Sequence, residues 1–323
     1  MVYRSQRQHR VSWLRIVLAV LMIAVILVLA ARIRREYFSV PAPEATLHQV
    51  GDDGYIPTSV QPIELSLRSA QAFVYDGNSR SILYTKGGDR VVYPASTSKL
   101  MSILCALQYM DADEIVMVGE EQSLVDAQSS RAYVRAGQRL TVEQLVEGML
   151  LPSGNDAAYA LAAAAGRRIG GEHLSATEAV KAFMTAVNEY GKTLGLVGTH
   201  FTVPDGLADG EHYTTVEDIL LIARAAMTQP LIARYAALPQ AHVVYESGES
   251  IDWVNTNQLI QPESPYYSPY VTGLKTGSLT RNYCLIFTAE KDGKSYIVGL
   301  FGGREKNDRY EDATQILRVL FGE

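Results

Sequence analysis

The chain has 323 residues, 47% of them hydrophobic and 20% charged, enough for one large domain or two modest ones with a packed core. Its formal net charge of −6 is unevenly spread: the first 40 residues carry seven arginines against one acid, Glu36, which leaves 22 basic and 34 acidic residues, a net of −12, in the remainder. An acidic body excludes the electrostatic footprint of a nucleic-acid binder, and no cysteine–histidine group has metal-ligand spacing, so no nucleic acid, metal or other cofactor is expected.

Ile16 to Ala31 is an unbroken apolar run, extended upstream by Val11, Trp13 and Leu14. Arg4, Arg7, Arg10 and Arg15 precede it; Arg32, Arg34 and Arg35 follow. About 20 apolar residues cross a hydrocarbon core, so residues 11–31 read as a transmembrane signal-anchor behind a cytoplasmic stub, 1–10. A cleavable signal peptide is the competing reading, but no small-x-small site follows the run and three arginines do. The arginines are nearly balanced, so the positive-inside rule leaves the orientation open. Residues 32–62, with Pro41, Pro43, Pro57 and Pro62, form a polar tether, and residues 63–323 are expected to form one domain.

In that domain Ala70–Tyr75 and Ser81–Thr85 are β-like runs joined by the turn residues Asp76-Gly77-Asn78-Ser79, a hairpin signal. A helix is predicted from about Ser96 to Met110, and a short strand over Ile115–Val118. Thr141 with Gln144 has the form of a capping box opening a helix from Val142 to Leu150. A short loop, Leu151–Gly154, precedes an alanine-rich helix over Asp156–Ala165. Further helices are predicted over Ala179–Leu194 and, capped by Thr214-Thr215, through Met227. Tyr283–Thr288 and Ser295–Phe301 form a second hairpin, and Asp308–Leu320 closes the chain as a helix. Strands at both sequence ends with helices between them predict an α+β fold: one antiparallel sheet built from both ends, flanked by helices and carrying a mainly helical insertion. Cys105 and Cys284 read as two buried free thiols.

Three short motifs carry chemistry. Ser96 and Lys99 lie one helical turn apart in PASTSKLM, so a desolvated lysine amine could act as base for the serine hydroxyl. Alone, a Ser-x-x-Lys pair arises by chance about once in a chain of this length, and a helix cap is the plainer reading. Ser153-Gly154-Asn155 occupies the loop between two helices, and alone it is a turn. Lys275-Thr276-Gly277 leads towards the strand holding Cys284, as either a charged strand edge or a cation and hydroxyl for a substrate carboxylate. In this order the three form the signature of serine β-lactamases and penicillin-binding proteins.

Within that superfamily the chain resembles the serine-type D-alanyl-D-alanine carboxypeptidases, the low-molecular-mass penicillin-binding proteins. The middle motif is Ser-Gly-Asn within LLPSGNDAAYALA, whereas class A β-lactamases carry Ser-Asp-Asn. YPASTSKLM, THFTVPDGL, HYTTVEDILLIA and RYEDATQIL are likewise similar to the family's segments, and the match runs from about Leu65 to the carboxyl terminus. Between Lys275 and Cys284 the chain is one residue shorter than the family's usual, without its Ala-Gly after Lys-Thr-Gly. It also stops after its final helix, where many relatives continue into a β-rich domain and a carboxyl-terminal anchor; here the amino-terminal helix would anchor.

The resemblance implies a β-lactamase/DD-peptidase-like fold and acyl transfer from a peptidoglycan stem peptide ending in D-Ala-D-Ala. Ser96 would be the nucleophile, Lys99 its base and Ser153 the relay to the leaving amine. Asn155 would hold Lys99 and the substrate amide, and Lys275 and Thr276 the terminal carboxylate, with Lys275 helping to lower the pKa of Lys99. Gly277 and Ser278 would line the site, the N–H groups of Ser96 and Ser278 holding the oxyanion. β-Lactams would acylate Ser96 and stay. Such a substrate places the domain outside a cytoplasmic membrane crossed once by the amino-terminal helix. A DD-endopeptidase, a β-lactamase or a weakly active wall-binding protein are the alternatives on the same residues.

Overall fold

In a computed structural model, residues 63–88, 90–208 and 210–322 are described. The expected signal-anchor and tether lie outside them. Among the described residues no helix is long and apolar enough to cross a membrane.

One five-stranded antiparallel sheet organises the domain, in the order β2-β1-β11-β10-β9. Its strands are β1 (Gln71–Asp76), β2 (Ser81–Lys86), β9 (Val271–Leu279), β10 (Asn282–Lys291) and β11 (Lys294–Gly303). The two sequence ends meet where β1 pairs with β11, Gln71 opposite Phe301 and Val74 opposite Val298. Side chains alternate across the pleat, so neighbouring residues enter different cores. Ala72, Val74, Leu285, Phe287, Val298 and Leu300 face one core with Tyr310, Ala313 and Ile316 of the closing helix. Phe73, Tyr75, Ile286, Ile297 and Phe301 face the other, beneath the helical block. Burial on both faces is why β10 and β11 read as continuous apolar runs.

The helices are α1 (Lys99–Ala106), α2 (Val142–Leu150), α3 (Asn155–Gly170), α4 (Ala176–Thr193), α5 (Val216–Met227), α6 (Pro230–Ala236) and α7 (Asp308–Phe321). A 3-10 turn, Ala95–Ser98, leads into α1, and all eight residues of α1 are buried. Short two-stranded pairs fasten the block: β3 (Val91–Val92) with β6 (Thr214–Thr215), β4 (Ile115–Met117) with β5 (Arg139–Thr141), and β7 (Gln240–Val244) with β8 (Ser250–Val254).

The expected capping box forms: Gln144 N donates to Thr141 Oγ1 at 3.1 Å and Thr141 N to Gln144 Oε1 at 3.0 Å. A second box, Ser175 with Glu178, starts α4 three residues earlier than the apolar pattern suggests. α1 ends at Ala106 rather than Met110, because Leu107–Met110 turn away in successive tight turns. α3 runs on to Gly170, past the expected Ala165. α6 and the β7–β8 hairpin, with Trp253 buried against Ala132 through a 2.9 Å bond from its indole N–H, are additions to the sequence-based expectation. Cys105 and Cys284 are free and buried, and burial pushes both thiols up to about 12.

Candidate active site

Three elements converge on an open cleft of about 700 Å³: the 3-10 turn before α1, the loop between α2 and α3, and the edge strand β9. Ser96, Ser153, Asn155, Thr276, Gly277 and Ser278 line it, and Lys99 and Lys275 lie buried behind them. All eight residues singled out by the motifs therefore meet at one place. Ser96 does not cap the helix; it lies inside the 3-10 turn, and neither Pro94 at the start of that turn nor Ser98 at the start of α1 makes a side-chain cap bond.

Close backbone approach builds the cleft. Gly277 faces the Ser96 turn from β9, where a Cβ would stand 2.8 Å from Pro94 O and 3.2 Å from Ser96 N. At Gly154 a Cβ would come within 2.7 Å of both Ala132 N and Asp156 Oδ1. Ser153 holds a left-handed backbone, φ 62°, which non-glycine residues seldom adopt and which tertiary contacts must maintain. The shortened segment after Lys275 closes as a two-residue turn, Thr280-Arg281, with Leu279 paired to Asn282. Arg281 there has φ 53°, and Leu279 and Thr280 border the cleft.

Lys99 is fully buried, and its amine has three partners: Ser96 Oγ at 2.8 Å, Asn155 Oδ1 at 2.7 Å and the Asp205 carbonyl at 2.8 Å. Burial lowers its pKa from 10.5 to about 8, against the upward pull of the Asp205 and Asp156 carboxylates. Desolvation is thus the leading cause, as the motif reading expected, and the help expected from Lys275 is not among the causes. An ammonium satisfies all three partners. A neutral amine keeps only two N–H groups, and two of the partners, the Asn155 and Asp205 oxygens, can only accept. Its lone pair is then left for Ser96, the partner that carries a proton. This arrangement allows the deprotonated lysine to accept a proton from that one hydroxyl.

Lys275 donates to Ser153 Oγ at 2.8 Å and to the Thr276 carbonyl at 2.9 Å. Its pKa is held well below the usual value by burial, then by the charges of Lys99 and Arg309. Behind the cleft wall it meets Ser153. The polar groups lining the opening from β9 and its surroundings include Thr276, Ser278, Thr280, Lys306 and Arg309. Thr276 Oγ1 lies 2.7 Å from Thr256 Oγ1, and Arg309 Nη1 donates to the Gly277 carbonyl at 2.8 Å and to Ser278 Oγ at 3.3 Å.

Four contributors had not been singled out from the sequence: Ser130, Thr256, Arg309 and the Asp205 carbonyl. Arg309 stood inside the RYEDATQIL segment and Asp205 inside THFTVPDGL, and that was the one signal of each. Ser130 and Thr256 lie in segments without periodicity.

The D-alanyl-D-alanine carboxypeptidase family model, Peptidase S11, matches residues 57–304. D-alanyl-D-alanine carboxypeptidase DacF of Bacillus subtilis is 27% identical over 80% of this chain, which spans 64% of that relative's length. The D-alanyl-D-alanine carboxypeptidase of Streptomyces strain K15 is 33% identical over 79% of this chain and 88% of its own length. The crystal structure of the Streptomyces K15 DD-transpeptidase aligns with a TM-score of 0.72 at 30% identity, covering 81% of this chain and all of that one. The family match thus covers most of the chain in sequence, and the structural match covers 81% of it in space. The chain belongs to the D-alanyl-D-alanine carboxypeptidase family of serine peptidases.

Proposed function

We propose that this chain removes the terminal D-alanine from peptidoglycan stem peptides through an acyl-enzyme on Ser96. The observation that carries the reading is a buried lysine amine 2.8 Å from a serine hydroxyl on a cleft wall. Neutral Lys99 takes the Ser96 proton as Oγ bonds to the carbonyl carbon of the D-Ala–D-Ala bond. The electron pair moves onto the carbonyl oxygen, which the N–H groups of Ser96 and Ser278 receive; one such donor is worth about 3 kcal/mol of barrier. The C–N bond then breaks, and the leaving amine takes its proton through Ser153, which Lys275 adjoins. Water releases the acyl group.

Thr276 and Ser278, with the Arg309 guanidinium behind them, form the pole for the terminal carboxylate. Lys275 serves it as a buried source of positive potential. A β-lactam, which presents an acyl-D-Ala-D-Ala mimic, acylates Ser96 in the same way. With the full chain and a pentapeptide ending in D-Ala-D-Ala, the expected result is stoichiometric release of D-alanine. Cleavage of cross-linked dimers in preference to this release would favour an endopeptidase instead. Rapid turnover of a chromogenic β-lactam would favour a β-lactamase.

The amino-terminal run completes the proposal: residues 11–31 anchor the chain once in the cytoplasmic membrane, and residues 32–62 carry domain 63–323 on the peptidoglycan side. Leu21→Arg with Val25→Arg, each costing about 3 kcal/mol at a helix centre, is expected to release the chain from sedimented membranes. A wild-type chain found free of the membrane fraction would overturn the anchor.

A further inference from the structure

Asp156 follows the Ser-Gly-Asn motif directly and is completely buried in the first turn of α3. Its carboxylate accepts three backbone N–H groups: Ala132 at 2.8 Å, Val134 at 3.0 Å and Ala157 at 3.0 Å. Three donors on two oxygens suit an ionised carboxylate, which only accepts. Two of the donors belong to the segment that leaves the cleft wall at Asp126–Ser130. Ser130, two residues before Ala132, receives Asn155 N on its carbonyl at 2.9 Å. Its hydroxyl contacts the Ser153 carbonyl at 2.7 Å and Asn155 Oδ1 at 3.3 Å. The segment and the motif turn are therefore stitched together in both directions, around a serine held at φ 62°. Asp156 supplies the charged stitch.

We propose that Asp156 is a positioning residue for acyl transfer: its carboxylate clamps Ala132–Val134 so that Ser130 braces Ser153 and Asn155, and its charge acts through the interior on Lys99. The proposal rests on the acyl-enzyme reading above. Two carboxylates, Asp205 and Asp156, act on Lys99; the charge of Lys275 couples to it, and Arg309 acts on Lys275. The Asp205 carboxylate approaches from the loop after α4, Asp156 from α3 and Lys275 from β9, with Arg309 of α7 beyond Lys275. Both carboxylates favour the protonated lysine against burial. Loss of the Asp156 charge therefore lets Lys99 release its proton at lower pH. Asparagine at this position would also turn an NH₂ group towards one of the backbone N–H donors, breaking part of the clamp.

The test is acylation of the full chain by a fluorescent penicillin, followed from about pH 6 to about pH 10 to expose the limb of the general base. Asp156→Asn is expected to slow the alkaline plateau about a hundredfold, the usual scale for misplacing catalytic groups by an ångström, and to move the acid limb to lower pH. Asp156→Glu keeps the charge and misplaces the oxygens; it is expected to slow the plateau while leaving the limb in place. A residue that merely supports the fold would lower thermal stability and yield without moving the limb. A folded Asp156→Asn chain with an unmoved limb, or with a plateau within about threefold of wild type, overturns the proposal. Should Asp156→Asn not fold, Asp156→Glu decides alone, and a wild-type plateau overturns it. Failure of the wild-type chain to be acylated at all would instead sink the underlying reading.

Discussion

Ser96→Ala is expected to abolish covalent labelling by a fluorescent penicillin and release of D-alanine, and to leave the fold intact. Removal of a serine-peptidase nucleophile generally costs about 10⁶-fold in turnover, because no other group can form the acyl bond. The local structure tolerates the loss. Ser96 Oγ makes two contacts, with Lys99 at 2.8 Å and the Asp205 carbonyl at 3.2 Å. Without it, Lys99 still has Asn155 Oδ1 and the Asp205 carbonyl as acceptors, and two acceptors match the two N–H groups of a neutral amine. The buried lysine therefore adapts by losing its proton rather than by unfolding its surroundings. The measurement pairs gel fluorescence after labelling with a thermal melt of the same preparation. A label that survives Ser96→Ala would place the acylated residue elsewhere and remove the mechanism.

What could be read in advance was whatever is local. Ser96 and Lys99 share one turn, Ser153 and Asn155 share one loop, and Thr141 with Gln144 announces a helix from three residues' spacing. The order of strands and helices sufficed for a sheet made from both ends, since β1 and β11 each carry a continuous apolar signal. Long-range partners were a different matter. Thr256 reaches Thr276 from a stretch between a hairpin and a 3-10 turn, and Ser130 reaches Asn155 from an irregular loop; neither segment has a period to read. The β7–β8 hairpin escaped because its exposed positions include Val244 and Val254, which blur the alternation that marks a strand. Depth was not legible either. The resemblance implied that Lys275 holds a substrate carboxylate, and the packed structure adds that the side chain is 1% exposed with its amine on Ser153 Oγ. Charge and residue type are sequence properties, whereas desolvation is a property of the packed state.

Desolvation also shapes the expected behaviour of Lys99. Burial brings its pKa from 10.5 to about 8, so at neutral pH most molecules hold the protonated form, which cannot accept a proton. With the neutral amine as the proposed base, acylation is expected to rise with pH. The rate is expected to climb about tenfold per pH unit below about 8 and to level off above it. Lys99→Ala removes both the base and the limb, and the residual rate is expected to fall about 10³-fold and lose its slope in this range. Lys99→Arg offers the sharper comparison. It keeps a cation near Asn155 and Asp205, but a guanidinium does not deprotonate in proteins. A purely electrostatic role for Lys99 predicts substantial activity in Lys99→Arg; a base predicts a rate as low as that of Lys99→Ala, flat with pH. Near-normal acylation in either variant would remove Lys99 from proton transfer, and a wild-type limb centred far above 8 would mean that the buried amine keeps its charge in the folded protein.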